Sequence, residues 1–501
     1  MFKKLKNASP AAKASLAYTI CNIIQKSISF LTLPLFTHLL TETQIGEYTV
    51  YLTWSAIFTI IITLNLSFGT FDKAMMEFKD EKEKYVSSIH FIVFALSFVF
   101  LAIYVPLALT IPQINSFLDL PPKLIILMVG EIIGTFAIQT WFSKEKFEYR
   151  WKWVVVVTLL IAVLAPALGY LLVKLFPAEQ GGEARIYGYA FINIAVGAFF
   201  IVYNIVKGKK VYDKKFWKYA FAFNIPLIPY YFSQIIFNQS DRIMIDLMIG
   251  TDVAGIYGIA YNFALILSFV VTAVNSGYVP WLYRKIEAKD PKANRLVSVL
   301  IFSIVSVLVM FTIWVGPEAI WLLTSGKESY QAAVHVIPPV ALSLILLLLS
   351  QYSINIQFYY KQKWRLVFAS LFSAALNIGL NYWLIPIYGF VAAGYTTLVS
   401  YIVFAILNYI CILSKVKKGG ELNGIFNIWI LSGIFVAFAG LSYVGYFLYP
   451  YRWVRLGIFI GMFVVAVVLA IIFRKKIMAF ISKFRKHDEV KEEIKEGEEN
   501  A

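Results

Sequence analysis

Two cysteines are all this sequence contains, Cys21 and Cys411, in separate apolar runs far apart in the chain. No disulfide framework and no thiolate metal site follows from them. Histidine is equally sparse: His38, His90, His335 and His487 form neither an H-x-x-x-H nor an H-E-x-x-H pattern, so no metal centre is expected. No G-x-x-x-x-G-K-[ST] stretch occurs, which removes a built-in ATP engine. Charge is scarce as well, at 15% of residues against about 25% in soluble domains. Segments between apolar runs are short, about twenty residues at most, so no soluble domain fits between them. A membrane glycosyltransferase or polymerase would need acidic catalytic residues on a substantial external loop, and the first such loop, TETQIGE, is too small. Neither a cofactor nor an enzymatic activity is expected.

What is present is apolar: 60% of the residues are hydrophobic and mean hydropathy is +0.72. A soluble core cannot use that much, so lipid must be the solvent for most of the chain. A span needs about 20 mostly apolar residues. Runs of that kind lie near 14–40, 46–71, 86–110, 122–142, 153–174, 187–206, 217–249, 254–280, 296–316, 333–358, 366–386, 390–413, 426–448 and 453–473. The expected fold is therefore all-α, a polytopic membrane protein of about fourteen transmembrane helices. The basic N-terminus leads into a run holding Asn22, Gln25 and Lys26 with no small-residue cleavage site, so it reads as a retained first helix and not a signal peptide.

The formal net charge of +16 would suit nucleic acid only if gathered on a soluble face. Here the basic residues alternate by side. With a cytoplasmic N-terminus, inner segments hold 37 of the 45 lysines and arginines and two, Lys26 and Arg242, fall well inside helices, away from the run ends. Outer loops, taken with the outer ends of the adjoining runs, hold six: Lys123, Lys174, Arg185, Lys327, Arg452 and Arg455. That is the positive-inside pattern of a protein with both termini cytoplasmic, and nucleic-acid binding is not expected.

The most basic internal loop, 207–218 (KGKKVYDKKFWK), reads as a seam. It divides a cytoplasmic N-terminus (1–13) and a first six-helix lobe (14–206) from a second lobe (219–413), two additional helices (426–473) and a cytoplasmic tail (474–501). A weak repeat supports the division. LLTETQIGEYTVY and MIGTDVAGIYGIA align Gly46 with Gly255 and Tyr48 with Tyr257 at an offset of 209 residues, the kind of duplication known in secondary transporters.

At these residues the chain resembles a known family. SFLTLPLFTHLLTETQIGEYTVYLTW, NQSDRIMIDLMIGTDVAGIYGIAYNFALI with NSGYVPWLYRKI, and NYWLIPIYGFVAAGYTTLVSYIV are similar to segments of the Wzx-type O-antigen flippases. These are polysaccharide exporters of the multidrug/oligosaccharidyl-lipid/polysaccharide superfamily. The resemblance runs from about residue 8 to 475. It implies two six-helix lobes around a cavity opening alternately to each side of the inner membrane. It also implies an undecaprenyl-diphosphate-linked oligosaccharide as substrate, membrane lipids and a coupling ion (proton or sodium) as partners, and a polysaccharide polymerase or glycosyltransferases nearby. A multidrug extruder and a lipid II flippase of the same superfamily are the alternative readings.

A polar head group needs a polar path, so ionisable residues inside spans are the first candidates. Lys26, near the middle of the first helix, costs about 2.5–3.5 kcal/mol at such a depth. It reads as a lumenal cation for the diphosphate or an acidic sugar, or as one half of a structural pair. Asp241, Arg242 and Asp246 lie in the seventh run. Arg242 is a substrate candidate, and Asp241 and Asp246 are candidates for the coupling ion. Glu131, in GEIIGTFA of the fourth run, is a further ion-coupling candidate or a partner of Lys26. Asn22, Gln25, Asn262, Asn275, Asn355, Gln357, Asn377 and Asn381 add polar lining, which inter-helix hydrogen bonding explains equally well. Pro226 and Pro229 are expected to bend the seventh helix.

Overall fold

The computed structural model describes residues 10–67, 71–288, 290–360, 362–417 and 419–472. The expected cytoplasmic tail 474–501 and most of the N-terminal segment 1–13 lie outside the described residues. The protein is an all-α polytopic membrane protein with no strand among the described residues. Thirteen helical stretches among them are long and apolar enough to cross a membrane, and a further helix occupies the place of the fourteenth run.

The first half of the chain forms α1 (Pro10–Leu39), α2 (Glu42–Thr63), α3 (Phe71–Glu77), α4 (Lys82–Thr110), α5 (Pro112–Leu118), α6 (Pro122–Phe147), α7 (Trp151–Leu175) and α8 (Gly181–Gly208). Then follow α9 (Lys214–Asn224), α10 (Ile228–Met248), α11 (Thr251–Ala264), α12 (Ser268–Glu287), α13 (Pro291–Trp314) and α14 (Gly316–Leu323). The last five are α15 (Ile337–Tyr359), α16 (Lys363–Tyr388), α17 (Val391–Val416), α18 (Ile428–Phe447) and α19 (Arg452–Ile472). The long seventh run is broken at a 3-10 turn, Ile225–Leu227, because Pro226 and Pro229 withhold backbone N–H groups from the ladder. The eighth run breaks at Leu265–Leu267 without a proline, which no residue of that turn announces.

Helix starts follow local chemistry. Thr41 and Gln44 form a reciprocal capping box at α2, with Thr41 Oγ1 accepting from Gln44 N at 3.3 Å and Gln44 Oε1 accepting from Thr41 N at 3.1 Å. Asp213 caps α9 and Asn427 caps α18 through their side-chain oxygens.

By compactness the chain divides into two units. One comprises the described residues of Met1–Tyr261, Ile320–Val336 and Val367–Ser400. Within it, close helix approach depends on glycine. A Cβ on Gly197 of α8 would overlap the backbone of Gly134 on α6, and one on Gly188 would overlap Gly169 on α7. Small residues at such crossings replace the hydrophobic drive that lipid cannot supply. The two glycines aligned by the repeat also meet: a Cβ on Gly255 would lie 2.6 Å from Gly46 N and 2.7 Å from Glu42 O, so α2 and α11 cross there. At the end of α1, Thr37 Oγ1 donates to Leu323 O at 2.7 Å and Lys327 Nζ donates to Leu40 O at 2.7 Å.

The second unit comprises the described residues of Asn262–Ala319, Ile337–Leu366 and Tyr401–Ala501. The last two helices are tied into it at Trp314, whose Nε1 donates to Leu441 O at 3.1 Å while Gly445 leaves room for the indole. Arg455 of α19, 1% exposed, is ion-paired to Glu318 at 2.5 Å.

Gly46→Val should force α2 from the Thr251 carbonyl that its Cβ would overlap, at about 1–3 kcal/mol for overpacking. The expected result is a lower unfolding temperature in detergent, with Gly433→Val, which meets nothing within 4 Å, unchanged.

Candidate functional site

Beyond its proline break, α10 turns Ser240 and Asp241 inward, and Asp241 is 1% exposed. Its carboxylate is the centre of a buried polar cluster drawn from four helices. Oδ2 accepts from Tyr257 of α11 and Thr397 of α17, both at 2.7 Å, and Oδ1 accepts from Asn381 Nδ2 of α16 at 2.6 Å. Asn381 Nδ2 also reaches Asn377 Oδ1 at 3.2 Å, which accepts from Ser240 Oγ at 2.9 Å. Thr396 Oγ1 donates to Asn381 Oδ1 and to Ala393 O. Asn377 and Asn381 share a face of α16 because they lie one helical turn apart. The α16–α17 turn that presents the two threonines passes through Gly389 at φ +72°, a conformation glycine adopts at no steric cost. All three donors to Asp241 are neutral, so its charge is dispersed by hydrogen bonds.

Arg242, one residue on, projects about 100° round the helix. Its guanidinium stacks 4.6 Å above the Tyr261 ring and donates to Gln239 Oε1, with 7% of the residue exposed. Asp246, a turn further along α10, is half-buried, and its Oδ1 has no hydrogen-bond partner among the described residues. Lys26 lies on an exposed face of α1 together with Asn22 and Ser29.

Glu131 is built into a different place. It sits between Gly130 and Gly134 on α6, and the bare backbone at Gly134 lets α8 approach until Asn193 O would lie 2.7 Å from a Cβ there. Asn193 Nδ2 consequently reaches Glu131 Oε1 at 2.7 Å, while Tyr51 of α2 donates to Oε2 at 2.7 Å. The carboxylate opens onto a cavity of about 210 Å³ lined by Ser55, Thr59, Thr63, Ile132, Thr135, Phe136, Gln139 and Asn193.

Of the amides expected as lining, Asn377 and Asn381 thus join Asp241. In the second unit Asn355 donates to Asn275 Oδ1 at 2.8 Å and Gln357 to Asn408 Oδ1 at 2.8 Å. No local signal in the sequence marks Tyr257, Thr397, Tyr51 or Asn193 as partners of these carboxylates. The Ser55, Thr59, Thr63 spacing of four was a legible signal of one polar helix face. Two arginines expected in outer loops are instead inside helices and buried. Arg185 of α8 is 6% exposed, with its guanidinium 4.2 Å from the Phe36 ring and 3.9 Å from the Tyr48 ring. Arg455 pairs with Glu318. An arginine at the edge of an apolar run looks like loop in sequence, yet aromatic faces can take its flat cation.

Residues 11–286, more than half of the chain, match the family model described as polysaccharide biosynthesis protein. The chain is 26% identical over 189 residues to Lsg locus putative protein 1 of Haemophilus influenzae, aligning 36% of this chain with 46% of that protein. It is 26% identical over 209 residues to an uncharacterized membrane protein of the same organism, covering 39% of this chain and 50% of that one. The chain therefore spans about half the length of these curated relatives. Among solved structures, the lipid II flippase MurJ in an inward closed conformation superposes with a TM-score of 0.68 at 14% identity, covering 92% of this chain and 100% of that one. An inward-facing multidrug resistance MATE family transporter of the MOP superfamily gives 0.56 at 13% identity, covering 79% and 97%. At these identities the likeness is one of fold.

Tyr257→Phe should remove one of the three donors to Asp241. A hydrogen bond to a charged group is worth about 1.5–3 kcal/mol, so a lower unfolding temperature is expected in detergent. Tyr382→Phe, at an exposed tyrosine, should leave that temperature unchanged.

Proposed function

The chain belongs to the polysaccharide biosynthesis protein family, and on that premise we propose that it is a flippase for lipid-linked oligosaccharide. In this reading it moves an undecaprenyl-diphosphate-linked glycan across the cytoplasmic membrane by alternating access, for O-antigen-type surface polysaccharide. It is a transporter and not an enzyme. Both termini lie on the cytoplasmic side, in keeping with the 37 basic residues of the inner segments. Two six-helix lobes carry out the exchange, and a polymerase and glycosyltransferases act before and after it.

The observation that carries the reading is the set of ionisable side chains within membrane-spanning helices. Lys26 on the first of them and Arg242 on α10 supply positive charge for a diphosphate or an acidic sugar. A cation at such depth is too costly to face lipid and belongs on a wet path or against a partner. Asp241 is the favoured site of the coupling ion, with Asp246 and Glu131 as further carboxylates of the same kind. The reason is geometric: Asp241 is held by side chains of α11, α16 and α17 as well as standing on α10. An ion bound there interacts with four helices at once, and it biases whichever arrangement of them binds it better.

Lys26→Ala and Arg242→Ala proteins should insert normally yet lose surface glycan in a flippase-null strain. The expected reduction is roughly ten- to hundredfold, the scale of one charge-assisted contact of about 1.5–3 kcal/mol. Full glycan display by the Lys26 variant would remove that residue from the mechanism. In proteoliposomes, Asp241→Asn should blunt the response of transport to imposed pH or sodium gradients. An unaltered response would place coupling elsewhere.

A further inference from the structure

Two stripes of polar side chains line the cavity beside Glu131. Ser55, Thr59 and Thr63 follow one another at intervals of four along α2, and Glu131, Thr135 and Gln139 do so along α6. Residues at that interval share a helix face, so each stripe runs about 12 Å along its helix. Tyr51 bonds to Glu131 at one end and Ser67 to Gln139 at the other, so the two stripes run in the same direction. Asn193 of α8 completes the wall. The carboxylate alone would serve an ion, and the rest of this wall suits a ligand that both gives and takes hydrogen bonds. We propose that the cavity is a subsite for one uncharged sugar ring of the glycan. This rests on the flippase reading and adds to it the class of sugar that is read and the residues that read it.

The hydrogen-bond inventory of the wall is mixed. The hydroxyls of Ser55 and Thr135 have no partner among the described residues, and Gln139 keeps its Nε2 hydrogens while Ser67 Oγ donates to its Oε1 at 3.0 Å. Asn193 gives one amide hydrogen to Glu131 and keeps the other. Acceptors stand beside these donors. Thr59 Oγ1 and Thr63 Oγ1 send their hydrogens to carbonyls of their own helix, each at 2.7 Å, and turn lone pairs outward. Each oxygen of Glu131 accepts one bond, from Tyr51 or from Asn193, and has a lone pair for another. Ile132 and Phe136 make the apolar part of the lining.

A sugar hydroxyl is donor and acceptor at once. Two neighbouring hydroxyls of a ring can both donate to one carboxylate while accepting from the amides and hydroxyls beside it, and the C–H face of the ring covers the apolar wall. The space is about 210 Å³, room for one ring of roughly a dozen heavy atoms at the close packing of protein interiors. Other ligand classes fit the wall less well. A bare cation uses acceptors only and leaves the donors idle. An apolar drug strands donors and acceptors alike. An acidic sugar brings a second negative charge to Glu131, which forms no ion pair with a lysine or arginine among the described residues, and like charges so enclosed repel strongly.

The test is saturation-transfer difference NMR on the purified full-length protein in detergent. The probes are the methyl glycosides of glucose, galactose and N-acetylglucosamine, with methyl glucuronide and methyl galacturonide as acidic counterparts. At least one uncharged glycoside should bind saturably, and the acidic counterparts should bind more weakly by about tenfold or more. Ser55→Leu, which fills the cavity, should abolish the signal, and Glu131→Gln should bring acidic and uncharged glycosides to similar affinity. Thr135→Val keeps the shape, removes one donor and should weaken binding by about tenfold. If either of the other variants fails to fold, Thr135→Val decides. Absence of saturable binding by all three uncharged glycosides, binding that is unmoved by Ser55→Leu or by Thr135→Val, or acidic glycosides bound as tightly as uncharged ones would each overturn the subsite. A strain that keeps its surface glycan without this chain would sink the transport reading and leave the binding result as it stands.

Discussion

A carboxylate inside hydrocarbon must be held by the protein, because no bulk water is there to hold it, and at Asp241 this requirement draws four helices together. Tyr257, Asn381 and Thr397 come from three separate elements, and each spends a donor on one side chain of α10. The surrounding amides and hydroxyls then satisfy one another: Ser240 with Asn377, Thr396 with Asn381. Such a cluster is sensitive to relative motion of its helices. A shift of α16 or α17 that a lipid-facing surface would tolerate would leave buried polar groups unpaired, at about 1–3 kcal/mol each. Integrity of the cluster and arrangement of its helices are therefore linked.

Glycine makes the close contacts that these polar groups need. Gly134 and Gly197 let α6 and α8 approach until Asn193 meets Glu131, and a side chain at either position would hold the amide out of reach. Gly46 and Gly255 do the same for α2 and α11. The tyrosines two residues beyond them both serve ionisable groups. Tyr48 offers its ring to Arg185 and Tyr257 its hydroxyl to Asp241.

Arg185 shows where charge counting reaches its limit. The side-to-side bias in lysine and arginine separates segments into two classes, but it treats each basic residue as solvated. A guanidinium between two aromatic rings is not solvated, and the rings that hold it, Phe36 and Tyr48, come from α1 and α2. The same applies to Arg455, whose partner Glu318 lies far away in the chain.

Run lengths, the alternation of basic segments and the prolines at 226 and 229 are local properties, so the helical class, the approximate span positions and the break in the seventh run were legible in the sequence. Asp241, Arg242, Glu131 and Lys26 were legible too, since an ionisable residue in an apolar run is conspicuous by its cost. Their partners were not. Hydrogen bonds such as Asn381 to Asp241 and Asn193 to Glu131 join residues far apart in the chain, and which helices meet depends on packing around glycines whose spacing alone names no partner. The break at Leu265–Leu267 and the burial of Arg185 belong to the same class. Sequence determined what each segment must avoid in lipid, and tertiary structure decided which neighbour relieves it, because the polar groups of one helix are satisfied by side chains of another.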